Sequence, residues 1–156
     1  MMPIIVGIDP DSDKSGCASF VDGKLVALDM FNTIEIIENF VKPVFVQGDV
    51  LFSIEDVCAN NYLYAMKLDP KLSAQSKDKI KQNRMLKVGR CQQAQIELMR
   101  WLDHYKRPYV LHPPQKGNWA DNKKIFEMAT GWKGKSNADT RSAAFMGMLE
   151  IQSKRK

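Results

Sequence analysis

Three acidic residues stand where the chain enters or leaves regular structure. Asp9 ends the apolar run 4–8, Glu55 follows a short apolar segment, and Asp139 opens the last helical segment. Asp9 before Pro10 could simply start a turn, and Asp139 could cap a helix. Glu55 has no such simple role. If the fold brings the three carboxylates together, they repel one another unless a cation neutralises them.

The chemistry of such a cluster follows from its ligand atoms. Oxygen ligands without a histidine or cysteine cluster favour Mg²⁺, with Mn²⁺ as a substitute. Two such ions about 4 Å apart can activate water and stabilise the leaving oxygen of a phosphodiester. The acids therefore predict a metal-dependent hydrolytic site.

The surrounding pattern predicts the elements that position these acids. Apolar runs predict strands at 3–9, 15–21, 24–30, 51–57 and 108–112, and Asp22-Gly23 is typical of a hairpin turn. Helices are predicted over 32–41 and 85–105, before Gly131 and at the end of the chain. The polar, lysine-rich stretch 64–83 is interpreted as a mobile insertion loop.

This order predicts an α/β fold with a mixed sheet of about five strands flanked by helices. Parallel strands end at a common edge, where open α/β sheets place their sites. Asp9 and Glu55 would meet there, and the start of the last helix would add Asp139.

Length and composition favour one domain over residues 1–156. No apolar run is long enough to span a membrane, and no secretory signal is recognisable. The three cysteines form neither a zinc spacing nor a disulfide framework. We therefore expect a reduced, cytoplasmic protein.

Charge is distributed unevenly along the chain. Residues 1–70 hold 4 Lys/Arg and 11 Asp/Glu, a net of −7, whereas residues 71–156 hold 19 and 7, a net of +12. A basic half of this kind suits a polyanion such as DNA, although a solvated surface is the simpler alternative. Arg84 and Arg90 cluster in the long helix, and Arg141 lies close to Asp139.

Five segments resemble, in order, the motifs of RuvC-type Holliday-junction resolvases of the RNase H-like nuclease superfamily. They are IIVGIDPDSDKSGCASF, FSIEDV, LKVGRCQQAQIELM, PPQKGNWADNKKIFEMATG and NADTRSAAFMGM. The short chain is most similar to the phage-encoded branch. The resemblance implies a homodimeric, Mg²⁺-dependent endonuclease that cuts branched DNA in the cytoplasm of a bacterial host.

The resemblance also implies roles for individual residues. Asp9, Glu55 and Asp139 match the first three family acids, and Ser142 stands where a fourth acid is usual. Asp11, Asp13 or Asp56 could compensate for that serine. The family's base-stacking aromatic is replaced by Cys58, so Tyr62 and Tyr64 are candidates for stacking on a base.

The basic residues of the PPQKGNW region match positions that are basic in the family, which makes Lys116, Lys123 and Lys124 candidates for DNA binding. A second stripe on the long helix is the candidate dimer face, and it comprises Cys91, Ala94, Leu98, Trp101 and Tyr105. A C2 dimer would suit the approximate two-fold symmetry of a four-way junction.

Three other functions remain open from the sequence. The missing fourth acid would fit a protein that binds branched DNA without cutting it. GIDPDSDKSG also resembles the phosphate loop of actin-like kinases, although that fold normally needs two domains. A nuclease acting on another nucleic acid, such as an RNA–DNA hybrid, is the third.

Overall fold

The computed structural model describes residues 2–43, 50–59 and 67–156. Five strands form one sheet in the order β3-β2-β1-β4-β5. They are β1 (Ile4–Asp9), β2 (Ser15–Val21), β3 (Lys24–Phe31), β4 (Val50–Glu55) and β5 (Tyr109–His112). The β1–β2 and β2–β3 pairs are antiparallel, whereas β1–β4 and β4–β5 are parallel. The predicted mixed sheet is confirmed.

Helices cover both faces of this sheet. They are α1 (Thr33–Ile36), continued by a π-helical turn (Ile37–Val41), then α2 (Ala74–His104), α3 (Lys123–Thr130) and α4 (Ala138–Lys154). Short 3-10 turns lie at Val57–Ala59 and Trp119–Asp121. None of the helices in the described ranges is both long and apolar enough to cross a membrane.

The start of α2 corrects the expectation of a loop over 64–83. Residues 74–83 are helical, and the Ser73 side chain caps the helix by accepting a hydrogen bond from the Ser76 N–H at 3.1 Å. This segment is polar because it is exposed, and between Ala74 and Arg84 it contains neither proline nor glycine to interrupt a helix. Residues 64–66 lie outside the described residues.

Alternation along β1 and β4 divides the core into two layers. Val6, Ile8, Phe52 and Ile54 pack with α1 and with Leu98 and Leu102 of α2. On the other face, Ile5 and Phe20 pack against α4, with Phe126 and Trp119 beside it. Leu98 therefore belongs to the core, so its place in the candidate dimer face is wrong, whereas Trp101 of that face is exposed.

Helix α4 lies unusually close to the sheet because glycines face it. A Cβ placed on Gly7 would lie 2.0 Å from the Ala143 carbonyl oxygen, and one on Gly16 would lie 2.3 Å from that of Asp139. The Ser53 hydroxyl donates a hydrogen bond of 2.6 Å to the Met146 carbonyl. Close backbone contact therefore fixes the position of α4 over β1, β2 and β4.

Candidate active site

Asp9 and Glu55 lie side by side at the ends of two parallel strands. Ile8 and Ile54 are partners in the β1–β4 ladder, so the next residue of each strand projects onto the opposite face, which α4 covers. Glu55 is buried, and Asp9 interacts with it through both hydrogen bonding and charge. We call these two residues the acid pair.

Asp139 reaches the same edge through the packing of α4 against β2. Asn137 and Thr140 form a capping box, which starts α4 one residue before Asp139. The Asp139 backbone lies against Gly16, and Gly16 is the ladder partner of Asp9. Asp139 therefore lies within electrostatic range of Asp9, as the predicted convergence requires.

Burial and neighbouring charge disfavour ionisation of these acids. Burial raises the pKa of Asp9 to about 9, with further contributions from the Glu55 carboxyl and the charge of Asp139. Burial also raises the pKa of Asp139, assisted by the charge of Asp11 and opposed by that of Lys87. Without a cation, Asp9 therefore holds a proton at neutral pH.

Ser142 lies one helical turn after Asp139 and is buried beside Asp9. A hydrogen bond with its hydroxyl lowers the pKa of Asp9, opposing the effect of burial. Ser142 therefore contacts the acid pair from α4, but it contributes a neutral oxygen where a carboxylate would contribute charge.

The donor set fits a hard cation in part. The acid pair, the Ser142 hydroxyl and Asp139 supply oxygen atoms only, which are the ligands that hard divalent cations prefer. Across residues 2–43, 50–59 and 67–156, however, no group of three or more His, Cys, Asp or Glu side chains converges closely enough to form a metal centre. The structure thus brings two acids into contact and holds the third nearby.

Of the acids considered as compensation for Ser142, Asp56 is bound by α2, Asp13 is exposed, and Asp11 lies within electrostatic range of Asp139. Asp56 Oδ1 accepts hydrogen bonds from Gln95 Nε2 at 2.9 Å and from the Cys58 N–H at 3.2 Å. Asp11 Oδ1 accepts from the Ser12 N–H at 2.6 Å. Asp13 is exposed.

Two buried polar groups that contact residues next to Glu55 were not singled out from the sequence. Gln95 of α2 is buried and holds the turn that follows Glu55. Glu150 of α4 is also buried, and its Oε2 lies 3.4 Å from Nε2 of His112, the ladder partner of Glu55. A polar residue among the buried positions of a helix is a signal for a polar contact, but the sequence does not reveal that Gln95 contacts the turn after Glu55 or that Glu150 contacts His112.

The basic candidates divide into exposed and engaged side chains. The exposed ones are Arg84, Arg90, Lys116, Lys123 and Lys124. Arg141 instead donates hydrogen bonds to the Ala120 carbonyl at 2.7 Å, to the Trp119 carbonyl at 3.2 Å and to the Ser136 hydroxyl at 3.0 Å. The bonds to the two carbonyls join the first turn of α4 to the 3-10 turn Trp119–Asp121. Tyr62 and Tyr64 lie outside the described residues.

Comparison with solved structures identifies the fold class as RuvC-type, within the RNase H-like architecture. A Thermus thermophilus RuvC in complex with a Holliday junction substrate is 13% identical, with a TM-score of 0.56 over 99% of this chain and 96% of that chain. A second Thermus thermophilus RuvC structure is 12% identical, with a TM-score of 0.56 over 97% and 95% of the two chains. No family model and no curated protein sequence matches the chain. The similarity therefore lies in the fold, and a phage origin stays a prediction.

Proposed function

We propose that this chain is a divalent-metal-dependent DNA endonuclease that resolves Holliday junctions and other branched DNA. The observation that carries the proposal is the buried acid pair at the carboxyl edge of a RuvC-type sheet, with Asp139 and Ser142 supplied by α4. A Holliday junction is the substrate bound in one of the similar structures.

Each residue of the site has a defined part in this proposal. Asp9 and Glu55 would hold Mg²⁺ or Mn²⁺, with Asp139 as the third acid and the Ser142 hydroxyl orienting Asp9. The bound cation would supply activation of water and neutralisation of charge on the phosphodiester. The chain itself contributes burial, which excludes bulk water, and a rigid backbone that fixes the direction of the acid pair.

The exposed basic residues support the choice of DNA as substrate. Lys116, Lys123 and Lys124 precede or begin α3, whereas Arg84 and Arg90 lie on α2. Phosphate contacts from such side chains position a duplex without reading its sequence, which suits recognition of a branched shape. Binding should therefore weaken steeply with salt, since each contact releases counterions.

A homodimer is part of the proposal and rests on the exposed part of α2. The 31-residue helix buries Gln95, Leu98 and Leu102, all in its second half. In its first half, Met85 is 53% exposed and Leu86 is 55% exposed. These two neighbouring, exposed apolar side chains fit a contact with a second copy of this chain, and sedimentation of the free protein tests it.

The decisive experiment compares cleavage of a labelled four-way junction with cleavage of linear duplex DNA of the same sequence, in Mg²⁺, Mn²⁺ or EDTA. The wild type should cut the junction only with metal. Asp9→Asn and Glu55→Gln should lower the rate roughly 10³-fold, because several kcal/mol of transition-state stabilisation are lost. Asp13→Asn is the matched control, since it removes the same charge from an exposed position.

A second function is favoured by the absence of a three-acid centre in the described residues. A chain of this kind would bind branched DNA without cutting it. Junction binding without cleavage in either metal, with equal affinity in wild type and Asp9→Asn, would establish this second function and refute the first.

A further inference from the structure

Gln95 is a buried amide in a helix that otherwise packs apolar side chains against the sheet. Its side chain is among the largest in the protein that are fully buried, with 1% of the residue exposed. Its Oε1 accepts from the Val57 N–H at 2.7 Å and from the Cys58 N–H at 3.2 Å, and its Nε2 donates to Asp56 Oδ1 at 2.9 Å. The amide is therefore satisfied on both sides.

Three of the four described hydrogen-bond partners of the Gln95 side chain belong to one short segment, and the fourth is Met99 Sδ of the same helix, 3.6 Å from Nε2. Residues 56–58 directly follow Glu55, and the two N–H groups open the 3-10 turn Val57–Ala59. The neighbouring Gln92 adds a hydrogen bond from its Nε2 to the Val57 carbonyl at 3.4 Å. Helix α2 therefore caps this turn from outside, as a side-chain cap does within a helix.

Glu55 is consequently fixed from both ends. Before it, Ile54 is paired with Ile8 and Leu111 in the sheet. After it, the Asp56 N–H donates to the His112 carbonyl at 2.7 Å, and the Asp56 carboxylate is held by Gln95. The hydrogen bond from Gln95 thus joins α2 to the carboxylate of Asp56, the residue that follows Glu55 in the chain.

We propose that Gln95 is a positioning residue that sets the direction of the Glu55 carboxylate by clamping residues 56–58 to α2. This inference rests on the proposed nuclease function, because it assigns Glu55 to the metal. Groups that orient metal ligands typically affect metal affinity or activity by about 10–100-fold. Gln95 acts through Asp56 and the turn, so it is not a catalytic residue.

The test uses four variants of the full chain. Gln95→Met keeps the length of the side chain but removes the amide. Gln95→Glu keeps the acceptor for Val57 and Cys58 but removes the donor to Asp56. Asp56→Asn combined with Gln95→Glu restores a donor–acceptor pair with reversed polarity. Gln93→Met, at an exposed position of the same helix, is the matched control.

Three quantities are measured for each variant: direct Mn²⁺ binding by calorimetry, junction affinity in EDTA, and single-turnover cleavage at saturating enzyme. Gln95→Met and Gln95→Glu should weaken Mn²⁺ binding about 10-fold and slow cleavage about 10–100-fold, with junction affinity within about twofold of wild type. The double variant should cut the junction at least about ten times faster than Gln95→Glu does. Gln93→Met should match the wild type.

Wild-type Mn²⁺ affinity in Gln95→Met, or a double variant no better than Gln95→Glu, would overturn the positioning role. If Gln95→Met does not fold, the comparison of Gln95→Glu with the double variant decides. If the wild-type protein does not cut the junction, the nuclease proposal fails, and the Mn²⁺ titration still shows whether Gln95 orients a metal ligand.

Discussion

Gly16 offers a direct way to displace Asp139 without changing any acid. A Cβ at this position would lie 2.3 Å from the Asp139 carbonyl oxygen and 2.9 Å from the Thr140 nitrogen. Carbon and oxygen normally approach to about 3.3 Å, so Gly16→Ala must push the start of α4 away by roughly 1 Å. The obstacle is steric alone, because Gly16 does not have a positive φ.

Two effects of different size should follow from this displacement. Overpacking of a tight contact costs about 1–3 kcal/mol of the free energy of unfolding, which leaves most of the protein folded. A misplacement of about 1 Å at a reacting centre can cost about 100-fold in rate. Gly16→Ala should therefore remain folded and bind the junction, yet cut it about 100-fold more slowly than the wild type.

The assay pairs urea unfolding with single-turnover junction cleavage, and it uses Gly89→Ala as control. A Cβ on Gly89 meets no atom within 4 Å, and alanine in a helix is favoured over glycine by about 0.5–1 kcal/mol. Gly89→Ala should therefore be slightly more stable and cut normally. If Gly16→Ala cuts at the wild-type rate, the close contact between β2 and α4 does not set the position of Asp139.

Two further predictions concern pH and the bracing of α4. The pKa of Asp9 is raised to about 9 from an ordinary value of 3.8, so the folded chain keeps a proton that the unfolded chain releases between these values. The free energy of unfolding of the metal-free protein should therefore fall as pH rises from about 4 to about 9. Asp9→Asn should melt at a higher temperature than wild type at pH 8 in EDTA, and an equal or lower melting temperature would contradict the assigned burial. Arg141→Met should lower the free energy of unfolding by about 2–3 kcal/mol, because it leaves the Trp119 and Ala120 carbonyls without their donor. Lys124→Met should instead weaken junction binding and leave the free energy of unfolding unchanged. Urea unfolding and a binding titration of both variants test this: a destabilised Lys124→Met or a fully stable Arg141→Met would contradict it.

Local patterns predicted much of the fold because its strands are short, apolar and separated by recognisable turns. The hairpin at Asp22-Gly23 is an example: both residues have positive φ, as this turn requires. Asn32, a residue type typical of helix N-caps, is found capping α1, where its side chain accepts a hydrogen bond from the Glu35 N–H at 2.8 Å. Residues 74–83 were assigned wrongly because their polarity reflects exposure of a helix, which composition alone does not distinguish from a loop.

The three acids proposed for the site could be singled out from the sequence because each lies at the end of an element. The partners that hold them could not, since these contacts join distant parts of the chain. Gln95 and Asp56 are 39 residues apart, and only the packing of α2 on the sheet brings them together. Arg141 was assigned to DNA from its charge, but charge does not reveal that backbone carbonyls 21 and 22 residues away occupy its donors.

The glycines under α4 bear on how such a protein diverges. Gly7 and Gly16 let main chain rest on main chain, so the spacing between β1 and the acid-bearing helix depends little on which side chains surround it. Substitutions elsewhere in the core would then change how side chains pack but not the height of α4 above the sheet. A fold built this way is compatible with very different sequences, provided that small residues remain at the points where main chain meets main chain.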